Sequence, residues 1–361
     1  MNEALHIIGA GPIGLLLALR LARQGREVTL FEKRAGLPSL SMAIGITPPS
    51  LRMLGDLGLR DAFERAGVPI RRCHVFEDRK PVGTLGFEKA GDHILSLPQS
   101  ETLRILRAAL ADEPKVSFRE QQSFTADTPL PPHTRIIGCD GHQSSVRERA
   151  GIPWRVRPYP QRFLMADFVD IEHAGPDARL FFSPRGSVES FPLPAGLRRW
   201  VVQILPGQPA DIAHLIGRVR DAADVDLHHV EHGTPSAFQP RFALAKQFHR
   251  GPYILCGDAA HLLSPIGGQG MNTGFADAWT LADVLADPSP AALDAWSRAR
   301  QAAFLAAARR AALGMNLGTL AGPAASRVRA PLLRFALHRP RIAHTLARSY
   351  AMLNLPHPVY S

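Results

Sequence analysis

A chain of 361 residues, 45% hydrophobic and 20% charged, has the make-up of a soluble globular protein of two or three domains. That composition excludes a disordered chain, a collagen-like fibre and a small disulfide scaffold. The net charge is +10, and the whole excess lies in one segment. Residues 298–361 hold ten arginines (298, 300, 309, 310, 327, 329, 334, 339, 341 and 348) and no lysine, aspartate or glutamate, so the first 297 residues carry 32 basic and 32 acidic groups.

Cys73, Cys139 and Cys256 each sit in or beside an apolar run and read as buried, reduced thiols. No Cys-x-x-Cys is present to hold zinc or shuttle a disulfide. The apolar run Leu15–Leu19 is no secretory leader, because Glu3 stands where positive charge belongs and Gly9, Gly11 and Pro12 interrupt it. No uncharged stretch is long enough to span a bilayer. The expected address is the cytoplasm, or peripherally the inner face of a membrane.

In chain order, residues 5–8 read as a buried strand, 13–24 as a helix stopped by Gly25, and 28–31 as a second strand ending at Glu32. This βαβ unit predicts a parallel sheet. Residues 47–66 read as one helix, and 70–86 as two antiparallel strands around Asp78-Arg79-Lys80. A helix at 100–112 and strands at 116–118 and 135–138 follow. Residues 161–205 change to strands joined by Gly/Pro turns, the pattern of an antiparallel sheet. Residues 209–223 read as a helix and 253–256 as a strand running into Gly257-Asp258. From Asn272 onward the chain reads as helical, with breaks near Gly314, Gly322-Pro323 and Pro340.

Gly9-x-Gly11-x-x-Gly14, with Glu32 after the second strand, is a dinucleotide fingerprint. Gly9 permits the turn, Gly11 lets backbone approach a pyrophosphate, and Gly14 lets the helix pack close while its N-terminus faces the phosphates. Glu32 suits ribose hydroxyls and repels a 2′-phosphate, so this site is not one for NADP; the motif leaves FAD and NAD open. Asp140-Gly141 follows the strand at 135–138, and by itself also reads as a simple turn cap. Gly257-Asp258 follows a buried strand, where a carboxylate suits a ribityl hydroxyl. The glycine-rich run through Pro265, Gly267, Gly268, Gly270, Met271, Asn272 and Gly274 opens a helix whose amides suit a reduced, negatively charged flavin.

These three motifs, in this order and spacing, resemble the group A FAD-dependent monooxygenases, the para-hydroxybenzoate hydroxylase-like family, over most of the chain. The resemblance implies an α/β fold. It has a Rossmann-like FAD-binding domain (1–69, 92–153 and 250–297), an inserted antiparallel β-sheet substrate domain (70–91 and 154–249) and a basic helical C-terminal segment (298–361). It implies non-covalent FAD held by Gly9, Gly11, Gly14, Glu32, Lys33, Gln99, Asp140, Gly257, Asp258, Pro265, Gly268, Gly270, Met271 and Asn272, with Asp140 also serving transient NAD(P)H. The implied reaction is NAD(P)H- and O2-dependent hydroxylation of an apolar, aromatic small molecule through a flavin C4a-hydroperoxide. That chemistry asks little of acid–base side chains, and no catalytic residue is assigned. Met42 replaces an arginine that many members carry before the Ala43-Ile44-Gly45 segment.

Phe163, Phe168, Phe181, Phe182 and Phe191 make the second sheet aromatic-rich, and His74, Tyr159 and His261 are candidate proton carriers. His228-His229-Val230-Glu231-His232 contains a zinc-protease pattern, but Gly233-Thr234-Pro235 follows at once where a helix is needed, so no metal site is expected. The arginine-rich segment reads as a helical cap with solvated charges, or as a contact for an anionic membrane or an acidic carrier protein. No nucleic-acid module accompanies it. Other readings are a flavin-dependent reductase or halogenase on the same fold, or a non-catalytic flavoprotein. The halogenase Trp-x-Trp-x-Ile-Pro element is absent, the tryptophans standing alone at 154, 200, 279 and 296.

Overall fold

A computed structural model describes residues 3–37, 43–88, 92–125, 127–264 and 268–354. Met42 and Pro265 lie outside the described residues. Strand Ala4–Ile8 lies at the centre of a six-stranded sheet, flanked by Val28–Glu32 and then Val116–Glu120 on one side. Thr134–Gly138, Tyr253–Leu255 and His249–Arg250 follow on the other side. All pairs are parallel except the short edge hairpin. The four inner strands are mostly buried and rich in Leu, Ile and Val, as a parallel sheet between helices requires, while the edge strands Val116–Glu120 and His249–Arg250 are largely open. Helix Pro12–Arg23 buries Leu15, Leu16, Leu17, Leu19 and Leu21 and packs against helices Gln99–Ala111 and Gln269–Val284.

The second sheet has seven strands in the order Ser236–Phe238, Arg162–Val169, Leu197–Ile204, Val188–Leu193, Ala178–Phe182, Arg72–Glu77 and Lys80–Gly86. It is antiparallel apart from the pairing of Ala178–Phe182 with Arg72–Glu77. Strand alternation gives it two chemical faces. Leu164, Ala166, Phe168, Phe181, Trp200 and Val202 pack beneath helix Ile212–Ala223. Phe163, Met165, Phe182, Phe191 and Val201 face a cavity on the other side. Of the five phenylalanines that make this sheet aromatic-rich, Phe168 and Phe181 thus lie on the helix side and the other three on the cavity side; both faces are buried, so period-two alternation could not say which one meets the cavity.

Two further corrections concern helices. Residues 47–66 form two helices, Pro48–Asp56 and Arg60–Ala66, because Gly58 adopts φ +62° between them. Conversely, Pro290–Thr319 runs unbroken through Gly314. A glycine inside a helix costs about 1 kcal/mol, which the buried contacts of Phe304, Ala307, Ala308 and Ala311 on the same helix outweigh. The breaks at Gly322 (φ +97°) and Pro340 are present, giving helices Pro323–His338 and Pro340–Tyr350.

The arginine-rich segment is not uniformly a solvated surface. Arg329 is buried and makes a two-point contact with Glu77 at 2.8 and 2.7 Å, tying the penultimate helix to the second sheet. Arg300 is buried against Asp277 at 2.6 Å. Removing one partner of such a pair strands the other charge and typically costs ~3–5 kcal/mol. Cys73, Cys139 and Cys256 are free and buried, and burial pushes the Cys73 thiol up to about 12. No described helix is long and apolar enough to cross a membrane.

Candidate functional site

The glycine fingerprint works through backbone contacts. Gly9 has φ +102°, and a Cβ there would lie 2.5 Å from the Cys139 carbonyl oxygen. A Cβ on Gly14 would lie 2.0 Å from the Gly9 carbonyl oxygen. Both glycines let helix Pro12–Arg23 and the strand ends close on one another. Gly11 differs: φ is −71°, and a Cβ there would meet no atom within 4 Å. Its lack of a side chain serves the space in front of it. No side chain caps this helix, so its N-terminal amides are left for an anion.

That space is a cavity of about 1100 Å³ running from the parallel sheet to the second sheet. Of the expected cofactor residues, Gly9, Gly11, Glu32, Lys33, Gln99, Asp140, Asp258, Gly268, Gly270 and Met271 line it. Gly14, Gly257 and Asn272 do not: they build its walls. Gly257 has φ +62°, and its missing Cβ makes room for Ile13. Asn272 accepts the Thr47 N–H and donates to the Gly45 and Gly268 carbonyls, clamping two loops. Helix Gln269–Val284 begins at Gly268 in the left-handed region, again with no side-chain cap. Two uncapped helix N-termini thus open on one cavity.

Glu32 accepts N–H bonds from Ala10 and Arg34 at 3.0 Å each. Burial opposes its ionisation, but those bonds and the Arg34 guanidinium outweigh it and hold the carboxyl below its ordinary range. Asp140 commits one oxygen to capping helix Ser145–Arg149, through Ser145 Oγ and Val146 N. The turn-cap reading therefore holds for that oxygen, while the residue still lines the cavity. Asp258 is open to the cavity; desolvation by the surrounding protein raises its pKa, against the pull of His261 and His142. Gln99 lines the cavity and accepts the Ala43 N–H at 3.4 Å.

Residues behind the motifs hold them in register, and sequence reading missed this. Arg147 donates to the carbonyls of His142 and Ala259, at 2.9 Å each, and stacks 3.6 Å over Trp154, joining the Asp140 and Asp258 loops. Asp277, fully buried, meets His261 Nε2 and Arg300 Nε at 2.6 Å and accepts the Gly257 N–H at 3.3 Å. Burial opposes its ionisation; His261 and Arg300 overcome that and lower its pKa. His261 is thus bound up in structure, and His74, bonded to Thr84 and Asp177, does not reach the cavity; neither does Tyr159. His228 bonds to Asp226 and His232 to the Gly233 carbonyl, and no metal-ligating cluster of three or more exists among the described residues. Glu189, Gly314, Gly318 and Tyr350 line the cavity without any sequence signal to announce them.

The site's residues fit an FAD: a Cβ-free approach at Gly11, a carboxylate at the end of the second strand, and free helix N-termini. Gly11→Ala is expected to leave the melting temperature of the ligand-free chain nearly unchanged while weakening FAD binding about tenfold or more. Gly14→Ala lowers both stability and FAD content. Calorimetry and flavin titration check this; a Gly11→Ala chain that binds FAD as tightly as the parent contradicts it.

Comparison with known proteins agrees with this geometry. The chain is 28% identical over 315 residues to a 3-(3-hydroxy-phenyl)propionate/3-hydroxycinnamic acid hydroxylase from Mycobacterium sp. (strain JLS), covering 77% of this chain and 54% of that protein. It is 29% identical over 311 residues to the protein of the same name from Klebsiella pneumoniae, covering 78% and 55%. The chain thus spans about half the length of the curated relatives it matches. Among solved structures, p-nitrophenol 4-monooxygenase PnpA from Pseudomonas putida DLL-E4 shares the fold with TM-score 0.86 at 21% identity, over 98% of each chain. CabE, an aromatic hydroxylase from angucycline biosynthesis, matches with TM-score 0.75 at 25% identity, over 98% of this chain and 77% of that one. A family profile described as FAD binding domain matches residues 2–129 and 135–311, and the chain belongs to that family.

Proposed function

We propose that this chain is an FAD-dependent hydroxylase that takes electrons from NAD(P)H and places one oxygen atom of O2 on an apolar, aromatic small molecule. One observation carries the reading: a single cavity joins the glycine cradle to a wall of Phe163, Met165, Phe182, Phe191, Val201 and Phe238. Its volume of about 1100 Å³ exceeds the ordinary range for one small ligand, leaving room for a dinucleotide and a substrate together. The names of the relatives and of the structural neighbours support the same class of reaction.

Bound FAD would supply hydride acceptance and oxygen activation, which no side chain here provides. The chain's own tasks are placement and exclusion. Glu32 would accept from the adenosine ribose, the Gly11 backbone and helix amides would meet the pyrophosphate, and Asp258 would accept from the ribityl chain. Gly268, Gly270 and Met271 would hold the flavin end of the cofactor, where the second helix N-terminus favours negative charge. The apolar wall keeps water away and holds an aromatic ring in contact range. Aromatic substrates are expected to accelerate NADH or NADPH oxidation about tenfold or more, a barrier change of about 1.4 kcal/mol, and isotopically labelled O2 to mark the product. No acceleration by any aromatic favours a non-catalytic flavoprotein; an unlabelled product favours a reductase.

A second role is proposed for the C-terminal helices, as a contact for an anionic lipid surface. On helix Pro323–His338, Val328, Leu332 and Phe335 recur at helical spacing and are 68%, 50% and 53% exposed. Arg327 and Arg334 are exposed on the same helix, and the Arg339 guanidinium sits 4.6 Å over the Phe335 ring. An apolar row edged by arginines is the pattern of an interfacial helix. The protein should sediment with phosphatidylserine vesicles at low salt and be released at high salt. Absence of binding at low salt ends this proposal, and pull-down of an acidic carrier protein instead would redirect it.

A further inference from the structure

Glu189 lies on strand Val188–Leu193 with its side chain on the cavity face, opposite Leu180 on one neighbouring strand and Val201 on the other. Phe191, two residues along, lines the same wall. Among the described residues no group hydrogen-bonds to the Glu189 carboxyl or forms an ion pair with it. Arg179, one position away in register, pairs with Glu172 at 3.2 Å and does not line the cavity; Arg199, opposite Phe191, does line it, and its guanidinium is engaged by Asp167 at 2.6 and 2.9 Å. The other titratable groups that feel Glu189 are the Cys73 thiol, from strand Arg72–Glu77, and the Tyr350 hydroxyl, from the last helix. Burial pushes the Glu189 carboxyl up to about 7, and Cys73 and Tyr350 both up to about 12, so neither of those two supplies a charge.

An acceptor placed in an apolar cavity with no partner of its own costs the protein stability. A ligand carrying a donor would supply the partner that the described residues do not. A site built around a buried acceptor rejects ligands that leave it unpaired far more strongly than an apolar pocket rejects an extra methylene. Two carboxylates brought together in such a place cannot both stay ionised.

We propose that Glu189 is the specificity-determining residue of the substrate end of the cavity, accepting a hydrogen bond from an O–H or N–H donor on an otherwise apolar aromatic ligand and excluding ligands that carry a carboxylate at that point. This rests on the aromatic-substrate reading above. It sets this chain apart from relatives whose names specify a propionate or cinnamic acid.

The test is calorimetric binding to the FAD-loaded protein at pH 8, without NAD(P)H, using 4-ethylphenol, 4-ethylaniline, 4-ethylbenzoate and ethylbenzene. One donor ligand, the phenol or the aniline, should bind about tenfold or more tightly than the benzoate and than ethylbenzene, and which of the two binds better tells hydroxyl from amine. Glu189→Gln should bring the benzoate to within about twofold of the donor ligand, and Glu189→Leu should remove the preference of that ligand over ethylbenzene. Equal binding of phenol and benzoate by the parent protein overturns the proposal, as does an unchanged ratio in Glu189→Gln. So does failure of both donor ligands to bind an FAD-loaded protein. A protein that will not load FAD overturns the cofactor reading beneath it, a result distinguishable from the others.

Discussion

The fold turns on how closely backbone approaches backbone at the start of the first helix. A side chain on Gly9 would drive into the Cys139 carbonyl, and one on Gly14 into the Gly9 carbonyl. With neither present, Ala4–Ile8 reaches its turn beside Thr134–Gly138 and the helix leaves at once. The connections from Ala4–Ile8 run to Val28–Glu32 on one side, while Thr134–Gly138 pairs on the other. This is the reversal point of an open parallel sheet, where a crevice forms at the carboxyl ends of the strands. Gly9, Gly11, Glu32 and Asp140, at the ends of those strands, line the cavity there.

Buried charge then fixes distant segments to it. Asp277 holds the Gly257 turn, His261 and the long helix Pro290–Thr319 at once, tying the Gly257-Asp258 loop to the helical segment. Glu77 and Arg329 do the same between the second sheet and the penultimate helix. The last helix brings Tyr350 into the cavity wall. The arginine-rich segment is therefore part of the site's architecture as well as a basic surface, which net charge alone did not distinguish.

Local and periodic features were legible in the sequence. The fingerprint, the strand-end position of Glu32, the parallel-to-antiparallel switch near residue 161 and the stops at Gly322 and Pro340 all follow from short-range rules. Features set by long-range packing were not. Nothing in the spacing of Phe163 and Phe168 tells that they fall on opposite faces, since both faces are covered. Gly314 reads as a stop until neighbours hold its helix straight. Gly318 allows the same helix to approach Phe182, whose ring would lie 3.0 Å from an added Cβ. Asn272 sits inside the glycine-rich motif yet spends its amide on Thr47, Gly45 and Gly268. Glu189 stands in an unremarkable strand, and only the folded sheet reveals that it faces a cavity with no partner among the described residues.

Tight, non-covalent FAD in the cavity between the parallel sheet and the helix beginning at Gly268 underlies every role given to these residues. Its most direct measurement is the visible spectrum of the purified protein, taken before and after denaturation and filtration. Flavin absorbance is expected in the native sample, released into the filtrate as intact FAD in an amount equal to the protein. A colourless protein that takes up no added FAD, or a flavin that stays with the denatured chain, would contradict it.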